Sequence, residues 1–447
     1  MYPCKPLAGG LLLLVAGPPL AVSDTAPPPL APRHDQPSQT EISSALTPQE
    51  SVDIALRRNP KLAGARAKAE ALETMPSQAG ALPDPKLGIN ALNLPTDSFA
   101  LDQEPMTQLE LSLNQALPFP GKLGLRRNAA EQEAAAAAAQ VEEQTLDVIA
   151  QVRSGWWQLF YLERALDTVA GTQQLMRQLI EIARTKYQVG KGLQQDVLLA
   201  QLELSRLLDR ELELRNARAR ATAALNALLD RPADTPLKLS AQAPPESLPA
   251  LAPAADLIQL AERNRPSLAI ERRLLRAAKA RLALAEREYY PDFELGVGYA
   301  FRQGSDPGGR QQRPDMLSLM LSINLPLYLQ TKQSKQVEQR SAEIFERKSM
   351  LQETRRAVQA AIAQHFADYQ RASKQVMLFK TGIIPQARQT VASMLAGYRV
   401  GKVDFLNLVN AEITLYDYEI NYWQALSQGK QSLAQIAAAV GVEALYE

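Results

Sequence analysis

The chain has 447 residues, 46% of them hydrophobic, and a formal net charge of +1. That length can hold two or three ordinary domains, and the near-zero charge gives no electrostatic pull toward nucleic acid. One cysteine, Cys4, and two histidines, His34 and His365, exclude a disulfide framework and a His-Cys metal cluster. No phosphate loop, nucleophile elbow or dinucleotide fingerprint is present, so no catalytic residue, cofactor or resident metal is expected.

Residues 1–23 read as an export signal. Lys5 supplies a positive region, Gly10 to Gly17 is a short apolar core, and Ala21 and Ser23 are the small residues that follow. The apolar run is too short to cross a bilayer as a helix. Cys4 precedes that core, whereas a lipidation cysteine follows it, so no lipid anchor is expected. Residues 24–46, with Pro27, Pro28, Pro29 and Pro32, read as a flexible lead-in.

The remainder is an internal duplication. Asn59-Pro60-Lys61-Leu62 returns as Arg265-Pro266-Ser267-Leu268, and Pro83-Asp84 returns as Pro291-Asp292. Leu117-Pro118 returns as Leu325-Pro326, and Tyr187-Gln188-Val189-Gly190-Lys191 returns as Tyr398-Arg399-Val400-Gly401-Lys402. The offset runs from 206 residues at Asn59 to 211 at Tyr187. Two repeats follow, 47–231 and 254–447, joined by a proline-rich linker over 232–253.

Each repeat reads as helix, strand, strand, very long helix, tight turn and return helix. The first helix is expected over Thr47 to Met75, opened by Thr47-Pro48-Gln49-Glu50 as cap, proline and acid. Its counterpart runs from Ala254 to Glu288. Strands are expected over 86–93, 108–116, 293–301 and 316–325, where Leu, Ile, Val, Tyr and Phe alternate with polar or small residues. Strands of this length with one apolar and one polar face fit a transmembrane barrel.

The long helices are expected over 120–187 and 330–398, the latter kinked at Pro385. Each spans roughly 100 Å, a length suited to a coiled coil or a periplasm-spanning tube rather than a globule. Return helices follow over 193–229 and 404–440. The first carries two apolar stripes, Val197, Leu204, Leu208 and Leu212 on one side and Leu207, Leu214, Ala221, Leu225 and Leu228 on the other. Two seams imply two helical neighbours. Four strands close no barrel, and an open sheet edge in lipid is costly, so copies of the chain must share one. Two copies would give eight strands and three would give twelve.

With these features in place, residues 47–447 resemble the TolC family of outer-membrane efflux proteins. The resemblance rests on the duplicated unit, on Gln115-Ala116-Leu117-Pro118-Phe119-Pro120-Gly121-Lys122, and on the paired Val-Gly-Lys turns. The Pro-Phe-Pro-Gly-Lys stretch looks most like the heavy-metal-efflux branch, CusC-like or CzcC-like. The resemblance implies a mostly α protein with a transmembrane β part. Three copies would build a twelve-strand β-barrel in the outer membrane over a twelve-helix periplasmic α-barrel. It implies passive export through a tripartite pump, with a periplasmic adaptor and an inner-membrane pump of the RND type as partners. Competing readings are the outlet of a type I polypeptide secretion system and a periplasmic structural coiled-coil protein.

The resemblance also assigns positions. Loops Pro95 to Pro105 and Gln303 to Pro314 would face outside. Val189, Gly190, Lys191, Val400, Gly401 and Lys402 would form the adaptor-docking tips. Family members often carry acids just after the second tip turn. Here those positions read Asn407 and Asn410, with Asp404 earlier and Asp196 as the first-half counterpart, so a gate of amides with two acids is expected. Phe99, Phe119, Tyr289, Tyr290, Phe301 and Tyr328 flank the strands as membrane-interface aromatics in contact with outer-membrane lipid. Trp156, Trp157, Phe160 and Tyr161 lie roughly 54 Å along the helix from Pro120 and are expected to pack its midsection. His365 reads as structural.

Overall fold

The computed structural model describes residues 45–240, 247–305 and 311–446. The export signal and the lead-in to residue 44 lie outside the described residues, as do parts of the 232–253 linker and the 303–314 loop.

Thr47 opens α1 (Pro48–Arg58) with a reciprocal cap: its hydroxyl accepts the Glu50 N–H, and the Glu50 carboxylate accepts the Thr47 N–H at 2.8 Å. The single helix expected over Thr47 to Met75 is instead three, α1, α2 (Pro60–Glu73) and α3 (Met75–Gly80). Proline makes both breaks. Pro60 has no N–H with which to continue α1, and the Asn59 carboxamide oxygen caps Lys61 and Leu62 to start α2. Pro76 sits in the first turn of α3. The same correction applies to the second half, where Pro266 separates α6 (Ala254–Asn264) from α7 (Pro266–Arg287).

The strands are β1 (Lys86–Leu92), β2 (Gln108–Leu117), β3 (Asp292–Phe301) and β4 (Met316–Asn324). They form one antiparallel sheet in the order β1-β2-β3-β4, open at both edges. The duplication holds to the residue here. Leu87↔Leu113, Ile89↔Leu111 and Ala91↔Leu109 recur as Leu295↔Leu321, Val297↔Leu319 and Tyr299↔Leu317, every member 208 positions on.

The first long helix, α4 (Lys122–Gln188), is unbroken over 67 residues, about 100 Å. It returns through α5 (Gln194–Leu228). The second long helix runs without a gap from Leu329 to Arg399, with wide π turns at Leu329–Gln333 and, just before Pro385, at Phe379–Ile383, which divide it into α8 (Ser334–Leu378) and α9 (Ile384–Arg399). Pro385 offers no N–H to the Thr381 carbonyl, and the wide turn before it absorbs that loss. The last long helix is α10 (Phe405–Val440).

All of this is organised on α4. Near the sheet α4 packs against α1, α2, α3 and α7, and toward the far end against α5 and α10, with α8 bridging α7 and α10. The midsection is tied by indoles. Trp156 and Trp157 are fully buried; Trp156 Nε1 donates to the Leu46 carbonyl at 2.9 Å and Trp157 Nε1 to the Tyr446 hydroxyl at 2.6 Å. Arg153 beside them is paired with Glu443 at 2.9 Å and lies 4.0 Å from the centre of the Tyr446 ring. The two α5 stripes differ in burial. Leu207, Leu214 and Leu225 are buried toward α4, whereas in the other stripe Val197 and Leu204 are half-buried against the core and Leu208 and Leu212 are exposed.

Candidate functional site

The two ends of the molecule carry its unusual surfaces: the sheet at one end and the paired helical turns at the other. On the sheet, pairing places Leu87, Leu113, Val297 and Leu319 in one row and Ile89, Leu111, Tyr299 and Leu317 in the next. The opposite face carries Gly88, Ser112, Gly298 and Ser318. The apolar face is bare: Ile89 is 72% and Leu319 82% exposed. A contiguous apolar face of this size on a soluble chain marks a partner or a membrane. Among the described residues no helix is long and apolar enough to cross a membrane.

The expected interface aromatics lie at the two ends of this sheet. Phe119 stacks on Tyr290 at 4.6 Å, with Tyr289 and Tyr328 also exposed at the helical end. Phe301 contacts Tyr299 at 4.8 Å at the other end, and Phe99 is exposed in the adjacent loop. Arg313 joins the two loops there, donating to the carbonyls of Asp102, Glu104 and Gln303 at 3.3, 3.0 and 3.1 Å.

Where strands become helices, Lys122 is 1% exposed and makes a clasp. Its ammonium donates to Glu288 at 3.0 Å, to the Tyr290 carbonyl at 3.3 Å and to Asp292 at 2.9 Å, while Asp292 also accepts the Phe119 N–H at 2.7 Å. This ties the exit of β2 and the start of α4 to the entry of β3.

At the far end the two hairpins turn alike. Gly190 and Gly401 have φ of 72° and 73°, a conformation that costs a residue with a Cβ. The Lys191 N–H closes on the Lys186 carbonyl at 2.8 Å, and the Lys402 N–H on the Gly397 carbonyl at 2.9 Å. Val189 and Val400 stand exposed beside them. Lys186, which the sequence reading did not single out, links the turns. Its ammonium donates to the Tyr398 carbonyl and sits 3.9 Å from the centre of the Tyr398 ring, placing a cation at the C-terminal end of α9.

The expected gate residues divide. Asp404 precedes α10 without a side-chain capping bond, and it is exposed together with Asn407 and Asn410 one turn apart. Asp196 instead lies half-buried in the first turn of α5. Burial, and then the Asp196 charge, push the Tyr398 hydroxyl above its ordinary range. The polar line continues along α10 through Thr414, Asp417, Asn421 and Gln424, all exposed. Glu412 was also missed. It is 4% exposed without a hydrogen-bond partner among the described residues, and burial, with Glu419 second, pushes its carboxyl up to about 7. Its sequence signal was an acid in the apolar phase of α10, in step with Leu408. Among the described residues no group of three or more His, Cys, Asp or Glu side chains gathers as a metal site would need.

The family model for outer membrane efflux proteins matches residues 52–231 and 257–442, most of both repeats. The chain belongs to the outer membrane efflux protein family. It is the outer-membrane component of an efflux pump and not an enzyme. This efflux protein is 24% identical over 403 residues to the cobalt-zinc-cadmium resistance protein CzcC of Cupriavidus metallidurans, spanning 90% of this chain and 91% of that one. Its fold matches the outer membrane protein VceC of Vibrio cholerae with a TM-score of 0.73 at 18% identity, over 90% of this chain and 97% of VceC. It matches CusC with a TM-score of 0.70 at 16% identity, over 88% and 92% of the two chains. Family membership sets aside the purely structural coiled-coil reading.

Proposed function

We propose that three copies of this efflux protein close a twelve-strand barrel in the outer membrane, continued by a twelve-helix tube, and that the tube passively conducts divalent heavy-metal cations to the outside. The bare apolar face of an open four-stranded sheet carries the assembly reading. In lipid its two unpaired edges cost several kcal/mol per unsatisfied group, and pairing with further copies removes them. Eight strands from two copies would leave an interior just wide enough for side chains, whereas twelve leave a lumen. The exposed Leu208–Leu212 stripe of α5 supplies a second seam for a neighbouring copy.

In this arrangement the loops tied by Arg313 face outside and the turns at Gly190 and Gly401 face the periplasm. A periplasmic adaptor docks on the exposed Val189 and Val400 with Lys191 and Lys402, and an inner-membrane pump of the RND type supplies the energy. Asp404, Asn407 and Asn410 line the narrow end of the lumen. The cargo rests on the likeness to CzcC and on a tip whose amide oxygens and few acids can replace part of a cation's hydration shell.

The cargo is tested by deleting the chain from its host and measuring tolerance to cobalt, zinc and cadmium. Loss of tolerance, restored by the intact chain, is the expected result. Unchanged tolerance to all three contradicts the cargo and leaves the channel standing.

A further inference from the structure

A cavity of about 430 Å³ lies between α4 and α10, a size that holds a small organic molecule. Glu412 lines it from a position about 140° around α10 from Asn407, so the cavity is separate from the polar line of the gate residues. Glu412 is 4% exposed and has no hydrogen-bond partner among the described residues. The other carboxylates at the cavity are engaged: Asp167 pairs with Arg164 at 3.5 Å and Glu419 with Arg388 at 2.7 Å. The α4 wall adds two hydroxyls. Thr168 donates its hydroxyl proton to the Arg164 carbonyl and Thr172 to the Thr168 carbonyl, both at 2.9 Å, so each oxygen is left to accept. Trp423 and Leu415 supply an apolar side, and a Cβ added at Gly171 would meet no atom within 4 Å.

We propose that this cavity binds a small primary ammonium cation with an apolar body, its N–H groups on Glu412 and the two threonine hydroxyls and its body against Trp423 and Leu415. An ammonium brings three donors to these three acceptors and gains further from the indole face. A metal ion would find one free carboxylate and no His or Cys among the described lining residues. Burial, with Glu419 second, pushes the Glu412 carboxyl up to about 7, so below that pH the unpaired carboxyl keeps its proton. The ammonium enters with its own charge and the Glu412 proton leaves to water, which leaves the buried carboxylate paired. The other charged groups around Glu412 are Arg164 and Asp167 on α4, Glu419 on α10 and Arg388 on α9. Lys380, just before α9, opens with Glu419 onto a neighbouring cavity, and Arg206, Arg210 and Asp417 open onto another beside Tyr416.

Titration calorimetry of the full, detergent-extracted chain with phenethylamine tests this. One site per chain is expected, with an affinity that rises about tenfold from pH 6 to pH 8. Buffers of different ionisation heat should show about one proton released at pH 6 and almost none at pH 8. Glu412→Gln is expected to weaken binding about tenfold or more at pH 8 and to remove the proton release. Gly171→Leu, which puts a side chain at the cavity and leaves Glu412 in place, is expected to weaken it as much. Tetramethylammonium, a cation without N–H groups, is expected to bind about tenfold or more weakly than phenethylamine. Unchanged affinity in either variant, or equal binding of tetramethylammonium, overturns the proposal. So does the absence of binding at millimolar phenethylamine at pH 8, or binding of zinc that depends on Glu412 where the amine does not bind.

Discussion

Lys122 is a cation that the sequence shows only as a helix-starting lysine and that the fold buries completely. Removing one partner of a buried pair costs about 3–5 kcal/mol, but Glu288 and Asp292 are each about a third exposed, so the orphaned acids recover part of their hydration. Lys122→Ala is therefore expected to destabilise by about 3 kcal/mol, read as a lower unfolding temperature of the detergent-extracted protein; an unchanged temperature would remove the clasp from the stability account. Glu412 has the opposite character, a carboxyl without a partner. Its pKa rises from 4.5 to about 7, so between those values the folded chain keeps a proton that the unfolded chain releases. Stability contributed by the protonated carboxyl is thus lost as pH rises across that window. Hydrogen exchange along the tip end of α10 is expected to quicken over the same window relative to Glu412→Gln, which holds no titrating proton. Parallel pH profiles for the two proteins would contradict this. At the gate, Asp404→Ala is expected to lower cation selectivity in single-channel recordings and Asp196→Ala to leave it nearly unchanged, because Asp404 is exposed and Asp196 faces Tyr398.

The tip turns and the helix breaks were legible to different degrees. Gly190 and Gly401 stand out because the Val-Gly-Lys turn occurs twice, and both adopt the left-handed conformation. Gly190→Ala and Gly401→Ala should each cost about 1 kcal/mol and add when combined, since the turns are separate; chemical denaturation of the single and double variants checks this. The breaks at Pro60 and Pro266 were visible as prolines, yet each was read through because apolar periodicity continues on both sides. A proline tolerated in a first turn and a proline that ends a helix look alike until the cap is seen, and here Asn59 supplies it. The π turns at Leu329–Gln333 and Phe379–Ile383 carry no composition signal beyond Pro385. Lys186 was illegible for another reason. Its partner Tyr398 lies 212 residues away, and only the packing of the two hairpins brings them together.

At the scale of the whole molecule the chain presents surfaces that it cannot satisfy alone: a bare apolar sheet face, two open strand edges and an unburied leucine stripe on α5. Alternation marks the sheet's two faces in the sequence, and four strands are too few to close a barrel, so the strand count alone implies further copies. The α5 stripes were both visible in sequence, but how much of each is buried within the chain depends on where α4 runs. A net charge of +1 gives the chain no long-range field, and the tip carries amides where acids would make a strong ring. The most direct test of the account is the mass of the complex extracted from outer membranes in detergent, with bound detergent subtracted. A mass three times that of the processed chain is the predicted result. A monomer or a dimer would contradict the shared twelve-strand barrel, because neither supplies enough strands to enclose a lumen.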